Sequence, residues 1–278
     1  MSVNIPSLKA KLLNMAKEKN VELQVLLDRF GAEQFLARLS QSPVSQQFIF
    51  KGGSLLVYLV ETSRKTRDID FSIKQLSNRT DDLLKVIHAI LDIPLDDGVT
   101  WGRAEAEVLS HPDLEEPGAR IICPFQLGQV RGKVQMDLAL GDVVDPVKMT
   151  LPRMHYKGMP LMGQDFSILT YPPESIFAEK LHIASAKKET NSRMKDYYDL
   201  LKLSQSLESP QKLKAAIEAT FQNRKTAVPK GIFFDAAQIE VLQIRWAHFL
   251  IREKLTDAPR DIAEVIESLN DFLKKLPS

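Results

Sequence analysis

The sequence predicts an α+β protein, a mixed-sheet α/β core followed by a helical C-terminal domain. Three observations carry that prediction. A short apolar run, Phe48-Ile49-Phe50, feeds the glycine turn Gly52-Gly53 and is followed by an alternating segment over residues 67–74. Between Trp101 and Leu140, three β-like stretches are separated by Pro and Gly turns. From Pro172 onward, apolar residues recur at helical spacing instead. The change of period near residue 165 divides the chain into an expected core over 1–165 and a helical domain over 166–278.

Taken in order, residues 5–41 read as two or three short helices. Leu23, Leu26, Leu27 and Phe30 keep helical spacing, Gly31 interrupts it, and Phe35, Leu36 and Leu39 resume it. Residues 48–50 form a strand. Ser54 then serves as the N-cap of a short helix over 55–60. In the strand over 67–74, Ile69, Phe71 and Ile73 point one way while Asp68, Asp70 and Ser72 point the other. An amphipathic helix spans 80–92, and strands are expected at 101–109, 119–125 and 130–140. Ile176, Phe177, Leu181 and Ala184 mark one helix of the second domain, and Met194, Tyr197, Tyr198 and Leu201 mark the next. Three more cover 213–221, 236–249 and 262–273.

Composition excludes several classes. With 44% hydrophobic and 26% charged residues the chain can bury a sizeable core, which rules out a disordered or low-complexity protein. The net charge of +1 provides no general field toward nucleic acid, so such contacts must come from local groups such as Arg64-Lys65, Lys187-Lys188 and Arg224-Lys225. One cysteine, Cys123, excludes an internal disulfide framework, and its apolar neighbours predict a buried, inert thiol. His88, His111, His155, His182 and His248 show no ligand spacing, and Trp101 and Trp246 read as packing residues. No apolar stretch is long enough to span a bilayer, and the first residues lack a signal-peptide core. The expectation is a soluble, cytoplasmic protein with no membrane partner.

Two motifs carry chemistry. Asp68 and Asp70 share a strand face, and carboxylates that close repel unless a cation sits between them. An oxygen-rich site with open positions suits Mg²⁺, or Mn²⁺ in its place. In the segment 133–140 the even positions are apolar, so Asp137 lies on the polar side of its strand and is the preferred third carboxylate. Asp142 has the parity of the apolar set and Gly141 marks a strand end, which places Asp142 and Asp145 behind it. The second motif, Lys51-Gly52-Gly53-Ser54, joins a strand to a helix. Glycines let the backbone approach a ligand, and the N–H groups of a helix start favour phosphate. It is not a Walker motif, because the trailing Gly-Lys-Ser/Thr is missing. A plain turn remains the bland reading.

Taken together, Phe50-Lys51-Gly52-Gly53-Ser54-Leu55 with Arg67-Asp68-Ile69-Asp70-Phe71, Val134-Gln135-Met136-Asp137, Pro173 to Leu181, and Asn191 to Leu200 resemble the nucleotidyltransferase superfamily. More narrowly, the chain resembles abortive-infection toxins of the AbiEii/AbiGii type, over about residues 48–205. The resemblance implies a nucleotidyltransferase-fold core with a helical C-terminal part. It implies metal ligands at Asp68 and Asp70 and nucleotide contacts at Gly53, Ser54, Lys180, Arg193, Lys195, Asp196 and Asp199. Lys51, Gly52 and Arg67 flank the same motif and join the candidate nucleotide-binding set; Lys195 and Asp196 join Asp68, Asp70 and Asp137 in the candidate catalytic set. Here Gly-Gly-Ser stands for the commoner Gly-Gly-Thr, and either hydroxyl can meet a phosphate.

The expected activity is transfer of a nucleoside monophosphate from a nucleoside triphosphate to an acceptor, with Mg²⁺ or Mn²⁺ and loss of pyrophosphate. The resemblance adds a toxin role restrained by an antitoxin protein, with tRNA as one acceptor. Two other readings stay open: a nucleotidyltransferase acting on a small molecule of the antibiotic type, and a nucleotide-binding regulator without turnover. Read without the family, Lys180 lies beside an apolar stripe and either snorkels to water or reaches a phosphate, and Lys195 and Asp199 pair as a solvated helix face. An electrostatic argument also places Lys180 and Lys195 in one cleft with Asp68 and Asp70.

Overall fold

Apolar residues at every third or fourth position build two N-terminal helices, α1 (Ile5–Glu18) and α2 (Leu23–Gln41). The computed structural model describes residues 3–60, 66, 68–77, 79–109, 118–140, 144–187 and 193–277. Arg64, Lys65, Arg67, His111, Asp142 and Lys188, and the side chain of Lys187, lie outside the described set. Asn4 caps α1 by accepting a hydrogen bond from the Ser7 N–H at 3.0 Å. Gly31 does not interrupt α2, which runs through it as one helix. The glycine answers to packing: a Cβ there would lie 2.3 Å from Cε1 of Phe125. The same ring lies across Gly132, where a Cβ would meet it at 2.4 Å. Two glycines on two elements thus make room for one aromatic side chain.

Strand β1 (Phe48–Lys51) leads into helix α3 (Gly52–Leu59), which starts two residues ahead of Ser54. Ser54 is therefore not its N-cap. Then come β2 (Asp68–Ile73), α4 (Thr80–Leu91), β3 (Val99–Trp101), β4 (Glu105–Leu109), β5 (Gly118–Leu127) and β6 (Val130–Ala139). Three elements escaped the periodicity reading: β7 (Val147–Leu151), the small hairpin of β8 (His155–Tyr156) and β9 (Met159–Pro160), and β10 (Phe166–Thr170). The helical remainder is α5 (Pro173–Lys187), α6 (Met194–Ser204), α7 (Pro210–Asn223), α8 (Ala236–Glu253) and α9 (Ile262–Lys274).

The chain falls into two compact units. The first comprises residues 1–55, 66–142 and 146–170 and holds the mixed sheet, in the order β3-β5-β6-β2-β1-β10-β7 with β4 also pairing β5. The β2–β6 and β1–β10 pairs are parallel, and the other pairs in this sheet are antiparallel. Its core face carries an aromatic cluster. Phe71 of β2 meets Phe48 and Phe50 of β1 at centroid distances of 5.6 Å each and Phe35 of α2 at 6.2 Å. Cys123 is buried on β5, and desolvation pushes its thiol up to about 12, as expected of an inert cysteine. Arg38 and Asp97 form a buried ion pair, with the guanidinium over the Trp101 ring at 5.6 Å.

The second unit comprises residues 56–65, 143–145 and 171–278. Within it α5 packs on α6 and α7, and α9 on α6 and α8. Trp246 is a core residue, its indole N–H donating to the Pro259 carbonyl at 2.9 Å. Among the described residues, no helix is long and apolar enough to cross a membrane.

Candidate active site

Strand pairing in the first unit sets charged residues side by side. Lys51 of β1 is the register partner of Asp70 of β2, and Asp70 is the partner of Asp137 of β6. Asp137 is opposite Arg120 of β5, which is opposite Glu107 of β4. Directly paired residues project from the same side of a sheet. One row therefore crosses five strands with the signs plus, minus, minus, plus, minus. The alternation expected of β2 and β6 holds. Ile69, Phe71, Met136 and Leu138 are buried on the core side, while Asp68, Asp70 and Asp137 are half-buried on the other. Phe50 opposite Phe71 keeps the core face, and Lys51 opposite Asp70 keeps the charged one.

The glycine turn is fitted to Asp70. Gly52 has φ +74°, a conformation side chains disfavour. A Cβ on it would also stand 2.0 Å from Oδ2 of Asp70 and 2.6 Å from its Cγ. Gly52 is thus required both by the backbone and by the carboxylate lying against it. Gly53 follows in the first turn of α3, half-buried. Ser54 is buried, its hydroxyl donating to the Asp68 carbonyl and lying 3.4 Å from that of Thr66. The hydroxyl thereby ties α3 to β2 from inside the protein.

Asp137 is held differently. Nε of Arg120 donates to its Oδ1 and Nη2 to its Oδ2, both at 2.8 Å, a two-pronged pair. On its other side, Nη1 of Arg120 lies 3.9 Å from Glu107. The hydrogen bonds to Asp137 raise the Arg120 guanidinium above its ordinary value, against the opposing effect of burial. The charges of Asp137, Asp68 and Glu107 add to the rise.

Asp68 and Asp70, two hard oxygen donors on one strand face beside a turn with no Cβ, fit the chemistry of Mg²⁺ or Mn²⁺. Asp137 lies beside them in register, and each of its oxygens accepts one hydrogen bond from Arg120. Among the described residues, no group of three or more His, Cys, Asp or Glu is placed to hold a metal ion.

In the second unit, Lys180 of α5 neither snorkels nor reaches outward. Its buried ammonium lies 3.1 Å from Oδ1 of Asp196 and 2.7 Å from Oδ2 of Asp199, both on α6. Nε of Arg193 lies 2.9 Å from Oδ2 of Asp196, an ion pair off the line of a hydrogen bond. Asp196 and Asp199 are buried, so Asp199 is part of an interior cluster and not of a solvated helix face. Arg193 and Lys195 stand exposed at the start of α6. Arg224 and Lys225 close α7.

Arg120 and Glu107 were missed in the sequence. Arg120 precedes the apolar run Ile121-Ile122-Cys123, where only its parity with a β5–β6 register could have singled it out. The histidines are structural where hydrogen bonds define them. His88 Nε2 accepts from the Ala104 N–H at 3.0 Å, and His155 Nδ1 lies 2.7 Å from the Arg153 carbonyl.

The model of the family described as "Nucleotidyl transferase AbiEii toxin, Type IV TA system" matches residues 34–273. No curated protein matches the chain. Among solved structures, JHP933 from Helicobacter pylori is similar at 15% identity and TM-score 0.46, with 91% of each chain covered. An antigenic nucleotidyltransferase-like protein from Paracoccidioides brasiliensis is similar at 16% identity and TM-score 0.38, covering 69% of this chain and 88% of the other.

Proposed function

The chain belongs to the AbiEii nucleotidyl transferase toxin family, and from that premise we propose that it is a working nucleotidyltransferase, the toxin of a toxin–antitoxin pair. The observation that carries this reading is the fit of the Gly52 turn around the Asp70 carboxylate, with Asp68 on the same strand face. Asp68 and Asp70 would hold Mg²⁺ or Mn²⁺, which when bound supplies charge for the triphosphate and the departing pyrophosphate.

The chain's own groups do the rest. Backbone N–H groups at the start of α3, those of Gly53 and Ser54 among them, face no partner within the helix and suit phosphate oxygens. The Ser54 hydroxyl is used by the Asp68 carbonyl, so in this reading it positions the strand instead of touching the nucleotide. Lys51, next to Asp70 in register, offsets carboxylate charge. In the second unit, Lys180 holds Asp196 and Asp199 in place. The acceptor hydroxyl gives up its proton to water as its oxygen attacks the α-phosphorus in line, the bond from that phosphorus to the bridging oxygen of the β-phosphate breaks, and pyrophosphate leaves. The acceptor we favour is tRNA, and the partner an antitoxin protein.

The test is incubation of the protein and Mg²⁺ with α-labelled nucleoside triphosphates and, separately, tRNA, proteins or aminoglycosides. The expected result is label in tRNA, falling about 100-fold or more in Asp70→Asn. Growth of a bacterial host should slow on expression of the wild type and not of Asp70→Asn. Label in aminoglycosides alone would replace the acceptor, and no label in any acceptor would remove the enzyme reading.

A further inference from the structure

We propose that helix α8 carries a self-association seam, on which a second copy of this chain docks its own α8 in parallel register. The seam lies outside the candidate active site, and the proposal does not depend on the chemistry assigned there.

Three observations carry it. First, α8 is apolar on two opposite sides. Leu242, Trp246, Phe249 and Leu250 are buried in the second unit, Phe249 against Tyr198 of α6. On the far side Val241, Ile244 and Ile251 are 42%, 61% and 75% exposed. A helix covered on one side only should be polar on the other.

Second, the exposed residues keep the spacing of a helix–helix seam. Ala237, Val241, Ile244, His248 and Ile251 follow one another at intervals of four, three, four and three, and all are exposed. That alternation is the a and d pattern by which two helices interlock. Single apolar residues scattered on a surface are ordinary, whereas a contiguous stripe of large ones marks a contact site.

Third, the charges beside the seam fit a second copy. With Val241 and His248 at a, and Ile244 and Ile251 at d, Glu240 falls at g and Arg245 at the following e. In a parallel two-fold pair these positions face each other, so Glu240 meets the partner's Arg245, and symmetry repeats the contact. Arg245 already has an interaction within its own chain, and the several N–H donors of a guanidinium admit another. An antiparallel pair would instead set Arg245 against the partner's Arg245. His248 adds a polar residue to an apolar seam, which favours one alignment over shifted ones. About five turns of helix bury less than the roughly 1,200 Å² of a standard interface, so the dimer should be reversible and concentration-dependent.

Sedimentation equilibrium on the full chain, from about 1 to 200 μM, reads the association across the range where weak interfaces dissociate. The wild type is expected to pass from one chain to two over that range. Ile244→Glu should raise the dissociation constant about 100-fold or more, because each dimer loses two isoleucines from the seam, and should leave thermal unfolding unchanged. Ile251→Glu gives the same reading should the first variant fold poorly. Glu240→Arg and Arg245→Glu should each weaken the dimer alone, and the two together should restore it, since the swap rebuilds the pair with its signs reversed. A wild type that stays a single chain at every concentration overturns the proposal and leaves the seam to a different protein. A dimer that survives both Ile244→Glu and Ile251→Glu overturns it by placing the contact elsewhere. A charge swap that does not restore the dimer overturns the parallel register, and with it the proposal.

Discussion

The charged row of the first unit and the ionic cluster of the second satisfy their carboxylates in opposite ways. Asp137 is about a quarter exposed and Arg120 about a third, on a sheet face, and strand register alone sets them opposite each other. Asp196 and Asp199 are buried, and a lysine from another helix reaches both. Water shares the cost of charge in the row, so losing a partner leaves a solvated ion. In the cluster, losing a partner strands a carboxylate where water does not reach. A network that stands in the open can be tuned for binding, whereas a buried one is first a condition of folding.

That contrast is broken most directly at Lys180. Lys180→Ala leaves two buried carboxylates with less compensation and should cost about 3–5 kcal/mol of stability, read from denaturant unfolding. A variant that unfolds like the wild type would show the cluster to be solvated, and the distinction between the regions would fall. The double change Lys180→Met with Asp199→Leu should recover part of the loss, because apolar replacement removes one of the two stranded charges.

The next effect is in the row. Gly52→Ala forces a side chain into positive φ and onto the Asp70 carboxylate, which should cost about 1–3 kcal/mol and most of the transfer activity. Retained transfer with unchanged stability would mean that the turn moves freely from Asp70.

A buried carboxylate in the first unit sharpens the comparison. Glu33 is 1% exposed, its Oε2 accepting from the Met154 N–H at 2.6 Å and its Oε1 lying 3.4 Å from Arg153. Desolvation raises its pKa above the ordinary 4.5, with Arg153 opposing. A folded-state value above the unfolded one means the folded protein holds the proton longer. Stability from this group is fully present below pH 4.5 and is lost as pH rises through the raised value. Glu33→Gln should flatten that stretch of the stability–pH profile, and an unaltered slope would remove Glu33 as its source.

The smallest change is expected at Arg120. Arg120→Ala should cost about 1 kcal/mol or less, since a partly exposed pair gains little net stability. Thermal unfolding measures it. A loss as large as that of Lys180→Ala would show the row to be structural in the way the cluster is.

How much of this was legible depends on which interactions set each position. The period of two in β2 and β6 placed Asp68, Asp70 and Asp137 on polar strand faces, because an apolar core on one side forces everything between onto the other. The period near four placed α5 to α9, for the same reason on a cylinder. The run Lys51-Gly52-Gly53-Ser54 announced a turn between strand and helix, and family membership followed from motifs and spacing. Periodicity is local, so it reads faces and not partners. That Arg120 closes on Asp137, that Ser54 donates to the Asp68 carbonyl in place of capping a helix, and that Lys180 is enclosed by Asp196 and Asp199 are contacts between segments distant in the chain. Gly31 makes the same point: by propensity it should break a helix, yet α2 continues through it, because the missing Cβ is where Phe125 lies. Alternation and helical spacing along the chain settle which residues face the core and which carry charge outward. Which charges meet follows from strand register and helix docking, which no local period encodes.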